Sequence, residues 1–145
     1  MIGGETALDL GLRLDHWGFV VSDLRSAASG FVSTLGAKWD GAVFEDPHQQ
    51  VRVTFLTAGP GARIELVEPA AENSPVSRFL TERGGGLHHV CYEVRDIEDA
   101  LTTLRSRGAM IAKRPKPAVA FNGRRIAWVI TAEKLLVELL DRAAA

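Results

Sequence analysis

Two histidines and two glutamates carry the chemistry that this sequence suggests. His16 stands in Leu14-Asp15-His16-Trp17-Gly18-Phe19-Val20-Val21, and His89 in Leu87-His88-His89-Val90-Cys91-Tyr92-Glu93-Val94. The offset, 89 − 16 = 73 residues, also carries Ile64-Glu65-Leu66-Val67 onto Val137-Glu138-Leu139-Leu140, since 138 − 65 = 73. Arg52-Val53-Thr54-Phe55-Leu56 maps in the same way onto Arg125-Ile126-Ala127-Trp128-Val129. The chain is thus two copies of one module. What the repeat duplicates is an imidazole and a carboxylate, so that His16, Glu65, His89 and Glu138 read as one divalent-metal ligand set. A lone strand histidine is more often a satisfied surface or core residue, and a lone strand glutamate usually faces solvent. No packing requirement repeats both together. Each glutamate also sits between apolar neighbours, where burial is costly unless something such as a cation neutralises it.

The elements that must position these side chains follow from periodicity. Leu14 to Val21 alternates as a strand, with His16, Gly18 and Val20 on one face. Ser22-Asp23 is a helix-start signal before Leu24, Ala27, Ala28, Phe31, Val32 and Leu35, and Gly36 is placed as the stop. A short strand is expected around Lys38 to Phe44, a polar turn over Glu45 to Gln50, a strand over Val51 to Thr57, a turn at Ala58 to Gly61, and a last strand over Ala62 to Glu68 carrying Glu65. The module order is βαβββ. Asn73-Ser74-Pro75 then caps a short linker helix with Val76, Phe79 and Leu80 on its apolar side, ended by Gly84-Gly85-Gly86. The second copy repeats the pattern: a strand from Leu87, a helix from about Asp96 to Arg107 stopped by Gly108, and a strand over Ala109 to Ala112. A Pro- and Lys-rich loop from Lys113 to Phe121 and a turn at Asn122-Gly123 lead to strands over Arg124 to Ile130 and Leu135 to Leu140. By alternation His88 falls on the opposite side of its strand from His89, outside the ligand set. Cys91 shares the face of His89 and reads as a small buried core residue.

Neither copy has enough strands to bury both faces of its sheet. The expected fold is α+β, two tandem βαβββ modules forming one curved eight-stranded sheet around a metal-containing cavity. The 145 residues make a single domain, with module one over about 14–68, a linker helix within 69–86 and module two over about 87–141. If a pseudo-twofold axis relates the copies, both histidines and both glutamates can converge near it. Residues 1–13 lie outside the repeat, as a loose leader or an added edge strand, and 142–145 read as a frayed tail. A formal charge of −1 supplies no field that would gather nucleic acid or an anionic membrane surface. The single cysteine, the lack of a signal-like opening and the lack of a long apolar run point to the cytoplasm.

These residues resemble the vicinal oxygen chelate superfamily, which includes glyoxalase I and methylmalonyl-CoA epimerase. The likeness covers about Leu14 to Asp141. It leans toward the epimerases through Leu14-Asp15-His16, Gln49-Gln50-Val51-Arg52-Val53, Ile64-Glu65-Leu66-Val67-Glu68-Pro69, Asn73-Ser74-Pro75 with the helix to Phe79-Leu80, Gly86-Leu87-His88-His89, and Val137-Glu138-Leu139. The resemblance implies that His16, Glu65, His89 and Glu138 hold one divalent ion, for which Co²⁺, Mn²⁺, Ni²⁺, Fe²⁺, Mg²⁺ or Zn²⁺ would serve. It implies an epimerase or isomerase working through a metal-stabilised enolate of a small substrate such as an acyl-CoA, with Glu138 as catalytic acid or base. It further implies a homodimer. A glyoxalase-like lyase acting on a thiol-adduct carbonyl compound, and a non-catalytic small-molecule binding or resistance protein, are the alternatives. The sequence departs from the epimerase pattern in two places. Ile130-Thr131-Ala132-Glu133-Lys134-Leu135 replaces a His-Pro-Lys segment, and Val53 stands where some members place a second acid/base glutamate. Gln49, Gln50 and His48 lie in a loop that either leans over the cavity, where one could substitute, or is a plain solvated turn, the commoner case. Lys113, Arg114, Lys116, Arg124 and Arg125 form a basic cluster suited to coenzyme A phosphates, or a solvated loop.

Overall fold

The computed structural model describes residues 10–142. Eight strands form one mixed sheet: β1 (Arg13–Val20), β2 (Phe44–Asp46), β3 (Val51–Leu56), β4 (Arg63–Pro69), β5 (Gly86–Val94), β6 (Met110–Pro117), β7 (Arg125–Ile130) and β8 (Leu136–Asp141). Three helices join them: α1 (Leu24–Leu35), α2 (Ser77–Arg83) and α3 (Ile97–Ser106). The strand order is β2-β3-β4-β1-β5-β8-β7-β6. It reads as the same four-strand pattern from each edge toward the centre, so β1 and β5 meet antiparallel on the pseudo-twofold axis. Each of them is flanked by the last strand of its own module in parallel, β4 beside β1 and β8 beside β5. The four strands that carry His16, Glu65, His89 and Glu138 are therefore the four central ones.

Local chemistry explains the helices. Asp23 and Asp96 cap α1 and α3 by accepting hydrogen bonds from the backbone N–H groups of Ser26 and Asp99. α1 packs its Leu24 and Ala28 on Leu56 and Leu66, and α3 packs Ile97, Ala100 and Leu101 on Val94, Ala127, Val129 and Leu139. Both helices thus cover the convex side of the sheet. That leaves the concave side to be closed by side chains. At one end Cys91, Ala118, Phe121, Ile126 and Leu140 fill it, with a 3₁₀ turn over Val119–Phe121 acting as a plug. At the other, Val20, Val51, Val53, Val67 and Val76 form an apolar wall backed by Phe79 and Leu80 of α2. α2 ends at Gly84, whose left-handed backbone (φ 73°) suits glycine.

Three expectations change. Over residues 38–43 only Lys38 pairs, as an isolated bridge to Thr57, because Gly41 has a left-handed φ of 81° and Asp40 accepts from the N–H of Ala42. The strand begins later, at Phe44. The segment read as a Pro- and Lys-rich loop is mostly β6, an edge strand. Prolines are tolerated on an edge, where no second neighbour needs their N–H, and the register shifts twice across Ile111 to Lys116 to fit them. Arg142 is anchored rather than frayed. Its N–H donates to the Val94 carbonyl (2.9 Å), and its guanidinium donates to Glu93 and to the Gly11 carbonyl. Residues 1–9 and 143–145, the outer parts of the proposed leader and tail, lie outside the described residues.

Candidate metal centre

β1 and β5 set the floor of the site. In their register His16 faces Cys91 and Gly18 faces His89, two pairings that the pseudo-twofold exchanges. Gly18 also lies beside Glu65 of β4, and Cys91 beside Glu138 of β8. A small residue therefore separates a histidine from a glutamate in each half. Its size matters. A Cβ built on Gly18 would collide with the His89 ring.

Four side-chain atoms converge above this floor. His16 Nε2 lies 3.3 Å from Glu65 Oε1 and 3.1 Å from Glu138 Oε1. His89 Nε2 lies 3.1 Å from Glu65 Oε1 and 3.3 Å from Glu138 Oε1, and the two Nε2 atoms are 3.3 Å apart. Donors about 2.1 Å from one ion would be separated by about 3.0 Å at octahedral and about 3.4 Å at tetrahedral angles. The observed spacings fall within that interval. All four residues are buried, at 0 to 6 % exposure. Glu138 Oε1 has no hydrogen-bond partner, the one buried side-chain oxygen or nitrogen so placed among the described residues. An orphaned carboxylate oxygen facing two imidazole nitrogens is what a bound cation would satisfy. The residues therefore fit a single divalent ion.

Without that ion, protons must balance the charges. Burial disfavours a charged His16, but the Glu65 carboxylate and the hydrogen bond to Asp15 outweigh it and hold its pKa far above the imidazole range. Burial likewise opposes charge on His89, and the neighbouring carboxylates of Glu138 and Glu65 push its pKa up to about 9. Burial works against ionised Glu65 and Glu138, yet the two histidines keep both carboxyls below the usual range.

The site opens on one side into a cavity of about 240 Å³. Glu65, His89 and Glu138 stand at its inner end, Val51, Val53, Val67 and Val76 along one wall, and Trp128 and Leu136 along the other. Gln49 and Lys113 contribute polar groups. His16 lies behind, stacked on Phe121 (5.8 Å between centroids) and edge-on to Phe55.

The remaining sequence candidates divide. Gln49 reaches the cavity and donates to Asp46, whereas Gln50 turns to Asn73. The backbone N–H of His48 donates to Asp46 in the turn after β2. The basic cluster is dispersed. Lys113 lines the cavity and Arg114 faces α3, while Arg124 and Arg125 are engaged by Glu93, Glu98 and Asp141. Val53 lines the cavity as part of its apolar wall. The placement of His88 is corrected. β5 carries an extra residue between Leu87 and His89, and this bulge turns His88 to the cavity side, where its Nδ1 is 2.9 Å from His89 Nδ1. Strict alternation could not find it, because one inserted residue breaks the period of two.

The chain is similar to proteins of known family. Residues 15–128 match the family model of the glyoxalase/bleomycin resistance protein/dioxygenase superfamily. An ethylmalonyl-CoA/methylmalonyl-CoA epimerase from Cereibacter sphaeroides is 38% identical over 118 residues, covering 81% of this chain and 87% of that protein. A mitochondrial methylmalonyl-CoA epimerase from Homo sapiens is 36% identical over 96 residues, 66% of this chain and 53% of that protein. Among solved structures, methylmalonyl-CoA epimerase from Mycobacterium tuberculosis superposes with a TM-score of 0.81 at 29% identity, covering 91% of this chain and 89% of that one. The chain belongs to the glyoxalase/bleomycin resistance protein/dioxygenase superfamily, the group built on the vicinal oxygen chelate fold.

Proposed function

We propose that this chain is a divalent-metal-dependent epimerase of a 2-alkylmalonyl thioester, methylmalonyl-CoA-like, acting through an enolate at C2. The observation that carries the reading is the buried, unpartnered Glu138 Oε1 between two imidazole nitrogens at the inner end of an apolar cavity. His16, Glu65, His89 and Glu138 are the ligands. A bound divalent cation supplies Lewis acidity toward the thioester carbonyl. The protein does the rest. The valine wall and Trp128 exclude water from C2 and accept its alkyl group. Lys113 and Gln49 offer positive charge and a hydrogen bond to the substrate's polar end. Glu138, at the cavity's inner end, takes or returns the C2 proton. The similarity to acyl-CoA epimerases supports the thioester.

In this reading residues 1–145 act as one domain of two modules joined through the segment holding α2, working in the cytoplasm as a homodimer, with neither nucleic acid nor membrane as partner. Among the described residues no helix is long and apolar enough to cross a membrane.

The test is stereochemical. Purified protein loaded with Co²⁺ should convert one C2 epimer of methylmalonyl-CoA into the other, and Glu138→Gln should abolish conversion. Turnover of a hemithioacetal without epimerisation would transfer the assignment to the lyase. Binding without either activity would transfer it to the sequestering proteins of this fold.

A further inference from the structure

Both ligand histidines follow a bulged residue. Across the β1–β5 pairing, Leu14 faces Tyr92 and His16 faces Cys91, which leaves Asp15 as the extra residue on β1. Gly18 faces His89 and Phe19 faces Leu87, which leaves His88 as the extra residue on β5. Asp15 and His88 are related by the same 73-residue offset as the two rings they precede. A bulge breaks the up-down alternation and re-aims a side chain. Here it brings the residue before each histidine to the same side as that histidine. His16 Nδ1–H donates to Asp15 Oδ2 at 2.7 Å, and His88 Nδ1 lies 2.9 Å from His89 Nδ1.

We propose that Asp15 and His88 are paired positioning residues, each accepting the Nδ1–H of the following histidine and so fixing its Nε2 lone pair on the metal. The inference rests on the metal reading above. The two devices are chemically unequal. Asp15 is a carboxylate held by Arg63 Nη2 at 3.0 Å, with the guanidinium 4.1 Å above the Phe55 ring, and none of these three residues lines the cavity. His88 is an imidazole wedged edge-on against Phe79 (4.9 Å) and near Trp128 (6.4 Å), and it does line the cavity. His16 is therefore the fixed ligand. His89 is the ligand held by a residue that itself lines the cavity.

A ligand histidine that loses such a partner typically loses about 10- to 100-fold in metal affinity. The experiment measures Co²⁺ affinity by calorimetry and the Co²⁺ visible absorption band, with no substrate and no turnover. Asp15→Ala and His88→Ala should each weaken Co²⁺ binding by about 10- to 100-fold and shift the band. An Asn side chain can place its carbonyl oxygen where His88 Nδ1 lies, and Gln cannot. His88→Asn should thus restore affinity and band, and His88→Gln should resemble His88→Ala. A packing role alone would predict no difference between Asn and Gln beyond their size. In Zn²⁺-loaded protein with ¹⁵N-labelled histidine, both ligand rings should show a proton on Nδ1. Near wild-type affinity in His88→Ala and Asp15→Ala, or equal behaviour of the Asn and Gln variants, would overturn the proposal. Wild-type protein that binds no Co²⁺ would instead refute the metal reading beneath it.

Discussion

Replacing Gly18 by alanine tests how tightly the floor of the site is built. Gly18 is flanked in register by Glu65 and His89, and an added Cβ would clash with the Cε1, Nε2 and Nδ1 atoms of the His89 ring. Regaining ordinary contact requires a movement on the order of 1 Å. The ring has little room to give, since Trp128 lies edge-on at 4.8 Å and His88 at 5.2 Å between centroids. Overpacking of this kind costs about 1–3 kcal/mol. For a chain of this length that is a fall in Tm of about 3–9 °C. A metal donor must be placed within about 0.2 Å. Displacing His89 therefore removes one of four protein ligands, and Co²⁺ affinity should fall by at least about 100-fold, more than the loss of an orienting partner alone. Calorimetry and thermal denaturation of Gly18→Ala read both effects. Gly30→Ala is the control. Gly30 lies inside α1, nothing stands within 4 Å of its added Cβ, and it should gain about 0.5–1 kcal/mol with metal binding unchanged. Wild-type Co²⁺ affinity and an unchanged Tm in Gly18→Ala would refute the claim that β1 sets the position of His89.

Two further outcomes follow from the charge and proton balance of the site. A divalent ion at about 100 times its Kd should stabilise the fold by about 2.7 kcal/mol, raising Tm by about 8 °C, and excess EDTA should reverse the shift in differential scanning calorimetry. Metal affinity should also depend on pH. The pKa of His89 is raised to about 9, so below that pH the metal-free ring carries a proton that the ion must displace. Affinity should rise about tenfold per pH unit for each proton released, with the slope falling by one proton above about pH 9, where the metal-free His89 is neutral but His16 is still protonated, as calorimetry in buffers of different ionisation enthalpy would show.

The four central residues were legible in the sequence because the repeat duplicates type and spacing together. A histidine recurring with a glutamate 73 residues on is a chemical coincidence that packing does not require, and the strand order then places all four on the central strands. The helices were legible through Ser22-Asp23 as a start signal, through Gly36 and Gly108 as stops and through their apolar spacing. Three features were not. β6 was hidden by its prolines, which read as a loop until the strand is known to lie on the sheet edge. The late start of β2 depends on the backbone at Gly41, which local propensity does not specify. The inward turn of His88 depends on a one-residue bulge, whereas alternation points to the opposite face. The repeat did hold a usable signal. The 73-residue offset carries Asp15 onto His88, so the hydrogen-bonding residue before each ligand is duplicated in position though not in type.

The most direct test of the central claim is NMR of C2 proton exchange in methylmalonyl-CoA dissolved in D₂O, with Co²⁺-loaded protein and with the same protein in excess EDTA. The account predicts deuterium uptake at C2 with the metal and loss of that uptake when EDTA removes it. Absence of exchange with Co²⁺ demonstrably bound, or exchange that persists in EDTA with the ion removed, would contradict it.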